Sequence, residues 1–265
     1  METVHRAAST DRQIAQTYER DGFVKIKGVF TAEELAFYRE HISSEVVRRN
    51  TNSAPLHDRD TYGKAFLQIT NLWRTNDVAR RFVYEKCLAD IAAQLLGVQR
   101  VRLYHDQALY KEPGGGITPW HADQFYWPLD SEKTVTAWVP LQETPLEMGP
   151  LAFAAGSHRM QFGRDLAISD ESERSLRRAL ESGRFREVNE PYALGEVSFH
   201  SGWTFHHTGA NASDRARAVM TVIYMADGIR LIEPARKQHY ADWEAFMPGV
   251  QPGEVVDSPL NPVLN

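Results

Sequence analysis

From Val101 onward the chain is built of short apolar runs broken by glycine and proline. The segments VRLYHDQALYKEP, TVTAWVPLQE, LAFAAGSH and ARAVMTVIYM each read as a strand. Only one helix interrupts them, around SDESERSLRRALESG. Closely spaced strands with turn residues between them favour a β-sandwich or barrel over a parallel sheet, which would need a helix after every strand. The glycines Gly114 to Gly116 follow a strand but open no helix, so they read as a hairpin turn and not as a phosphate-binding loop.

The part before this, residues 1–99, reads as mostly helical. STDRQIAQTYERDG has an N-cap in Thr10 and a stop at Gly22. GFVKIKGVF alternates like a short strand. TAEELAFYREHISSEVVRRN opens with a capping box, Thr31 and Glu34, and places Leu35, Tyr38, Ile42 and Val46 on one face. One further helix is expected from Asp77 to Leu96, ending at Gly97. The chain thus divides into a helical part (1–99), a barrel core (100–227) and a proline-rich tail (228–265) wrapping the surface, all in one domain.

Composition narrows the function. Of 265 residues, 42% are hydrophobic, enough for a core, and the formal net charge of -5 gives no footprint for nucleic acid. No apolar run has the roughly 20 residues of a membrane span, and the polar start METVHRAASTDRQ does not read as a secretory signal. The single cysteine, Cys87, offers neither a disulfide framework nor a thiolate metal cluster and reads as a small buried hydrophobe. A cytoplasmic location is the expectation, with no nucleic-acid or membrane partner. The oligomeric state is not written in the sequence.

The chemistry-bearing residues lie in WHADQFYWP and FHSGWTFHHTGANASDRAR. On a strand, residues two apart share a face, so His121 and Asp123 would project together. A third donor would come from His200, His206 or His207. Two imidazoles and one carboxylate suit a non-haem Fe(II) centre with open positions. Three protein ligands with an open position equally suit catalytic zinc.

Four stretches in order, DGFVKIKGVFTAEEL, PWHADQFYWP, GPLAFAAGSHR and GEVSFHSGWTFHHTGANASDRARAVMTVIYM, resemble the phytanoyl-CoA dioxygenase family of Fe(II)- and 2-oxoglutarate-dependent oxygenases. The resemblance covers most of the chain. It implies a mainly β fold with flanking helices, whose core is a double-stranded β-helix, a cupin-like jelly roll.

The resemblance also implies roles. The metal ligands would be His121, Asp123 and His206, the last selected by Asn211 five residues on. 2-Oxoglutarate would meet Arg217 through its far carboxylate, because arginine offers a rigid two-pronged donor. Thr208 would donate to the same carboxylate, and Gln107 and Trp138 would line the co-substrate pocket. Arg215 is a rival to Arg217 but reads better as a solvated loop charge. His207 points to the other side of its strand, His200 takes a supporting role with some access to substrate, and His158 and Arg159 are mainly structural, though Arg159 could meet an anionic substrate. Tyr104, Tyr126, Trp127 and Trp203 shape either the pocket mouth or the core.

With Fe(II), 2-oxoglutarate and O2, the implied reaction oxidises a C–H bond of a small-molecule substrate and releases succinate and CO2. Halogenating relatives replace the carboxylate ligand with a small residue, and Asp123 is retained here, so hydroxylation is expected over halogenation. Desaturation, epoxidation and ring formation use the same iron and stay open. A zinc-type hydrolase or isomerase on a cupin-like barrel would need neither O2 nor the Arg217–Thr208 pair. A binding protein that lost its chemistry would be expected to drop a ligand. No basic cluster suggests a CoA-phosphate site.

Overall fold

The computed structural model describes residues 12–51 and 54–265. Helix α1 (Arg12–Asp21) leads to strand β1 (Phe23–Ile26), then to α2 (Ala32–Arg49), α3 (Thr61–Ala65), β2 (Leu67–Thr70), α4 (Asp77–Val83) and α5 (Lys86–Leu96). The strand-rich part follows as β3 (Val101–Lys111), β4 (Thr118–His121), β5 (Thr134–Pro140) and β6 (Leu151–Ala155). Helix α6 (Asp170–Ser182), β7 (Arg186–Val188), β8 (Val197–Ser201), β9 (His206–Thr208), β10 (Arg217–Ala226) and α7 (Lys237–Phe246) complete the chain.

Local chemistry accounts for the helix ends. The Thr31 hydroxyl accepts the Glu34 N–H (3.2 Å) and the Glu34 carboxylate accepts the Thr31 N–H (2.7 Å), closing the expected box. Leu35, Tyr38, Ile42 and Val46 of α2 are all buried, each contributing roughly 1.5–3 kcal/mol of apolar transfer. The helix expected over 77–96 is two helices. The chain leaves α4 at Tyr84 and turns Glu85 toward α2, where its carboxylate accepts the Tyr38 hydroxyl at 2.5 Å. The apolar pattern runs unbroken across the break, which is why periodicity missed it. Gly97 ends α5 in the left-handed region (φ 63°), as expected of a C-terminal glycine. Thr10 lies outside the described residues.

Two antiparallel sheets form the jelly roll: β1-β8-β5-β10-β3-β2 and β4-β9-β6-β7. The first carries the helices of the N-terminal part on its outer face, where Met220, Val222 and Tyr224 of β10 join Leu35, Ile42, Phe82 and Leu88 in the main core. Alternation then sends Arg217, Thr221 and Ile223 to the inner face. In β3 the alternation changes phase. His105 pairs with Ile223 but Leu103 pairs with Tyr224, so Tyr104 is a bulged residue. Val101 and Leu103 pack outward, and after the bulge Ala108 and Tyr110 do so, leaving His105, Gln107 and Leu109 facing inward.

Two expectations are corrected. The triple glycine is not a hairpin turn, since β3 and β4 belong to different sheets. It is a corner held by backbone bonds from Gly114 to Asn211 and from Gly116 to Lys64. The tail is more than a surface wrap. It contains α7, and its last residues pair with the start of β3 through Arg102 and Val263.

Candidate active site

His121 ends β4 and His206 begins β9, and the two are direct partners across that antiparallel ladder. Their rings are 4.2 Å apart. Asp123 does not sit on the strand. It opens a one-turn helix, Asp123–Tyr126, so its aim comes from the chain's turn off β4 and not from strand parity. Its Oδ1 lies 3.7 Å from His121 Nε2 and 3.6 Å from His206 Nε2. One ligand atom from each residue fits within a 4.8 Å span, the reach of one cation.

The remaining atoms of these side chains are held from behind. His121 Nδ1 meets the Pro119 carbonyl at 2.7 Å and His206 Nδ1 meets the Thr204 carbonyl at 2.9 Å. A carbonyl only accepts, so each Nδ1 carries the proton and each Nε2 keeps a free lone pair. The Thr136 hydroxyl donates to Asp123 Oδ2 (3.1 Å), and His200 Nε2 lies 3.3 Å from the same oxygen. Burial pushes the His121 and His206 imidazoles toward the neutral form. Burial also opposes the Asp123 charge, but His206, the His200 hydrogen bond and His121 outweigh it, so the carboxyl stays well below its usual range. Two neutral imidazoles and one carboxylate, with lone pairs converging, form a donor set that fits Fe(II).

The three groups open into a cavity of 570 Å³ that Gln107, Trp138, Thr208 and Arg217 also line. Arg217, at the start of β10, is 1% exposed. Its Nη1 donates to the Gly149 carbonyl, while its Nε has no partner among the described residues. Gly149 has φ 64°, and a Cβ there would sit 2.2 Å from the Gly209 carbonyl oxygen, so that close approach requires glycine. The guanidinium lies over the Trp138 ring at 5.4 Å. Burial works against its charge, but arginine does not give up its proton, and an unpaired buried donor calls for an anion. Thr208 Oγ1 donates to Thr118 Oγ1 at 2.9 Å, and Gln107 accepts from Gln68.

The other predicted residues separate cleanly. Arg215 stands at the surface beside Asp214 and does not line the cavity. His207 faces away from the cavity, 3.0 Å from Glu187 and packed on Trp120. Arg159 donates to the Glu19 and Arg20 carbonyls, tying down the end of α1, and does not line this cavity. The His158 carbonyl accepts from Arg164, whose guanidinium covers Trp203. Tyr126 and Trp127 line the cavity; Tyr104 stands behind its wall. Lys111 is fully buried near Arg217, its ammonium donating to Gly116, and burial pushes it down to about 6. Sequence reasoning missed His105 and the α7 residues Asp242 and Phe246, which also line the cavity; α7 sits among prolines that masked its helical spacing.

A jelly roll with two histidines and an aspartate converging beside a buried arginine defines the class of non-haem iron, 2-oxoglutarate-dependent oxygenases. The profile of the phytanoyl-CoA dioxygenase (PhyH) family matches residues 18–219, and the chain belongs to that family. It is 25% identical over 248 residues to a probable alpha-ketoglutarate-dependent hypophosphite dioxygenase from Stutzerimonas stutzeri, covering 87% of this chain and 83% of the relative. It is 26% identical over 271 residues to an ectoine dioxygenase of Bordetella parapertussis, covering 91% and 84%. Among solved structures it resembles the epimerase SnoN in complex with Fe3+, alpha ketoglutarate and nogalamycin RO, with a TM-score of 0.79, 26% identity, and 96% and 98% coverage. It shares its fold with EctD from S. alaskensis, solved with 2-oxoglutarate and 5-hydroxyectoine, at a TM-score of 0.72, 22% identity, and 96% and 89% coverage. The protein is an Fe(II)- and 2-oxoglutarate-dependent dioxygenase. No helix among the described residues is long and apolar enough to cross a membrane.

Proposed function

We propose that His121, Asp123 and His206 hold the ferrous ion and that Arg217 anchors 2-oxoglutarate, so that this cavity oxidises a C–H bond of a small molecule, most simply by hydroxylation. The observation that carries the reading is that the triad and the buried, partly unpaired Arg217 line one cavity. Iron and co-substrate, when bound, supply the oxidising chemistry and leave succinate and CO2.

The chain's own residues do the rest. Asp123 gives one oxygen to the metal while Thr136 and His200 hold the other, which fixes the carboxylate's angle. Arg217, steadied by Gly149 and faced by Trp138, neutralises the far carboxylate of 2-oxoglutarate. Thr208 adds a hydroxyl there, and Gln107 lines the same space. Asp123 occupies the position a halide would need, which supports hydroxylation over halogenation.

We place the whole chain in one oxygenase domain, supported by α7 of the tail lining the same cavity as the triad. With Cys87 as its single cysteine, the chain can form no internal disulfide, which fits a reducing compartment such as the cytoplasm. The test is 2-oxoglutarate turnover. Succinate formation that needs both Fe(II) and O2 is the expected result; activity with zinc alone and without 2-oxoglutarate would replace this reading with the hydrolase or isomerase.

A further inference from the structure

The cavity is asymmetric in charge. Among its described lining residues, only Asp123, Arg217 and Asp242 have carboxyl or guanidinium side chains. Arg217 lies at the co-substrate end. Asp242 projects from α7, and its Oδ2 accepts the Tyr104 hydroxyl at 2.9 Å, which fixes the carboxylate in place. No partner among the described residues meets its Oδ1. Four residues on, Phe246 closes the same wall and stacks on His105, rings 4.0 Å apart.

His105 adds a second acceptor. Its Nδ1 lies 3.3 Å from the Asp106 carbonyl, which assigns the proton to Nδ1 and leaves Nε2 as a lone pair. Burial keeps the ring neutral by pushing it down to about 4. This wall therefore offers two acceptors and no cation. In the reading above, a doubly charged ferrous ion balances doubly charged 2-oxoglutarate, and Arg217 balances Asp123. Asp242 is left as the one carboxyl in the cavity with no counter-charge, and burial pushes it up to about 7, so a cation beside it would hold it ionised. A half-buried carboxylate held by one donor and facing an aromatic-walled space is complementary to a protonated amine, which brings both charge and several N–H donors.

Resting on that reading of the site, we propose that the primary substrate carries a protonated amine, which docks on Asp242 with His105 accepting beside it and Phe246 and Tyr126 packing against its carbon skeleton. Asp242 is then a specificity-determining residue for this cavity. An anionic substrate would find no counter-charge on this wall and would meet the Asp242 field directly.

The experiment uses the full-length anaerobic protein loaded with Fe(II). Calorimetry first measures 2-oxoglutarate binding. It then measures a panel of primary amines against the alcohols and carboxylates of the same carbon skeletons. Wild-type protein should bind amines at least roughly tenfold tighter than the matched alcohols and bind the carboxylates weakest. D242N, which still accepts from Tyr104, should lose that margin, and D242E should keep part of it. If the wild type binds 2-oxoglutarate but shows no amine preference, including no binding of any probe, the assignment of Asp242 is overturned. A preference that survives in D242N overturns it too. If the wild type fails to bind 2-oxoglutarate at all, the reading of the site itself falls, and this inference with it.

Discussion

His121 and His206 are register partners across β4 and β9, and that pairing, with the Nδ1 bonds to the Pro119 and Thr204 carbonyls, holds their imidazoles 4.2 Å apart. The pair needs no metal to assemble it. Stripping metal with a chelator should leave the far-ultraviolet circular dichroism unchanged. Anaerobic Fe(II) at a hundredfold its Kd should then raise stability by about 2.7 kcal/mol. A metal-free chain that is unfolded would show that the ion builds the site.

Arg217 should dominate co-substrate affinity. Removing one partner of a buried charge pair costs on the order of 2–5 kcal/mol. Arg217→Ala should therefore raise the KM for 2-oxoglutarate by at least roughly thirtyfold, with Arg217→Lys falling between. Steady-state succinate assays decide it. An unchanged KM would move the role to the neighbouring buried Lys111.

His200 acts through Asp123. Its Nε2 is 3.3 Å from the Asp123 oxygen that faces away from the two ligand histidines. His200→Ala should weaken Fe(II) binding by roughly 10–100-fold, the range seen when such supporting groups are lost. Anaerobic metal titration reads this directly, and unaltered affinity would reduce His200 to packing.

Much of this was legible in the sequence, and the rest was hidden for physical reasons. The triad and Arg217 lie in two compact stretches, and the family resemblance singles them out from the other histidines and arginines there. His207 could be set aside because neighbouring strand residues face opposite ways, as its bond to Glu187 bears out. Asp123 was placed on the correct side by a strand argument, although it lies in a turn. The bulge at Tyr104 reverses strand phase, so no fixed alternation along β3 could assign His105 and Gln107 together with Leu103. The α7 wall was invisible because Asp242 is tied to the barrel by a contact 138 residues away in sequence, the Tyr104 hydroxyl's bond to its Oδ2.

Asp106 should make stability fall as pH rises. Burial pushes its carboxyl up to about 7, against bonds from the backbone of Leu72 and Trp73, and its Oδ1 has no partner among the described residues. The folded state thus holds this proton more tightly than the unfolded state, whose carboxyl titrates near 3.9. The contribution is full below that unfolded value and is lost as pH rises through about 7, on the order of a few kcal/mol. Asp106→Asn keeps the acceptor for the Leu72 N–H, so its stability should decline less than the wild type's between pH 5 and pH 8. Parallel denaturant melts at both pH values check this, and equal declines would contradict it.

The central claim is that residues 121, 123 and 206 together bind a single ferrous ion, and iron content after anaerobic reconstitution tests it most directly. The wild type and His207→Ala should each retain one Fe(II) per chain, while His121→Ala, Asp123→Ala and His206→Ala should each lose it. Full iron content in any one of those three variants, with the fold intact, would contradict the account.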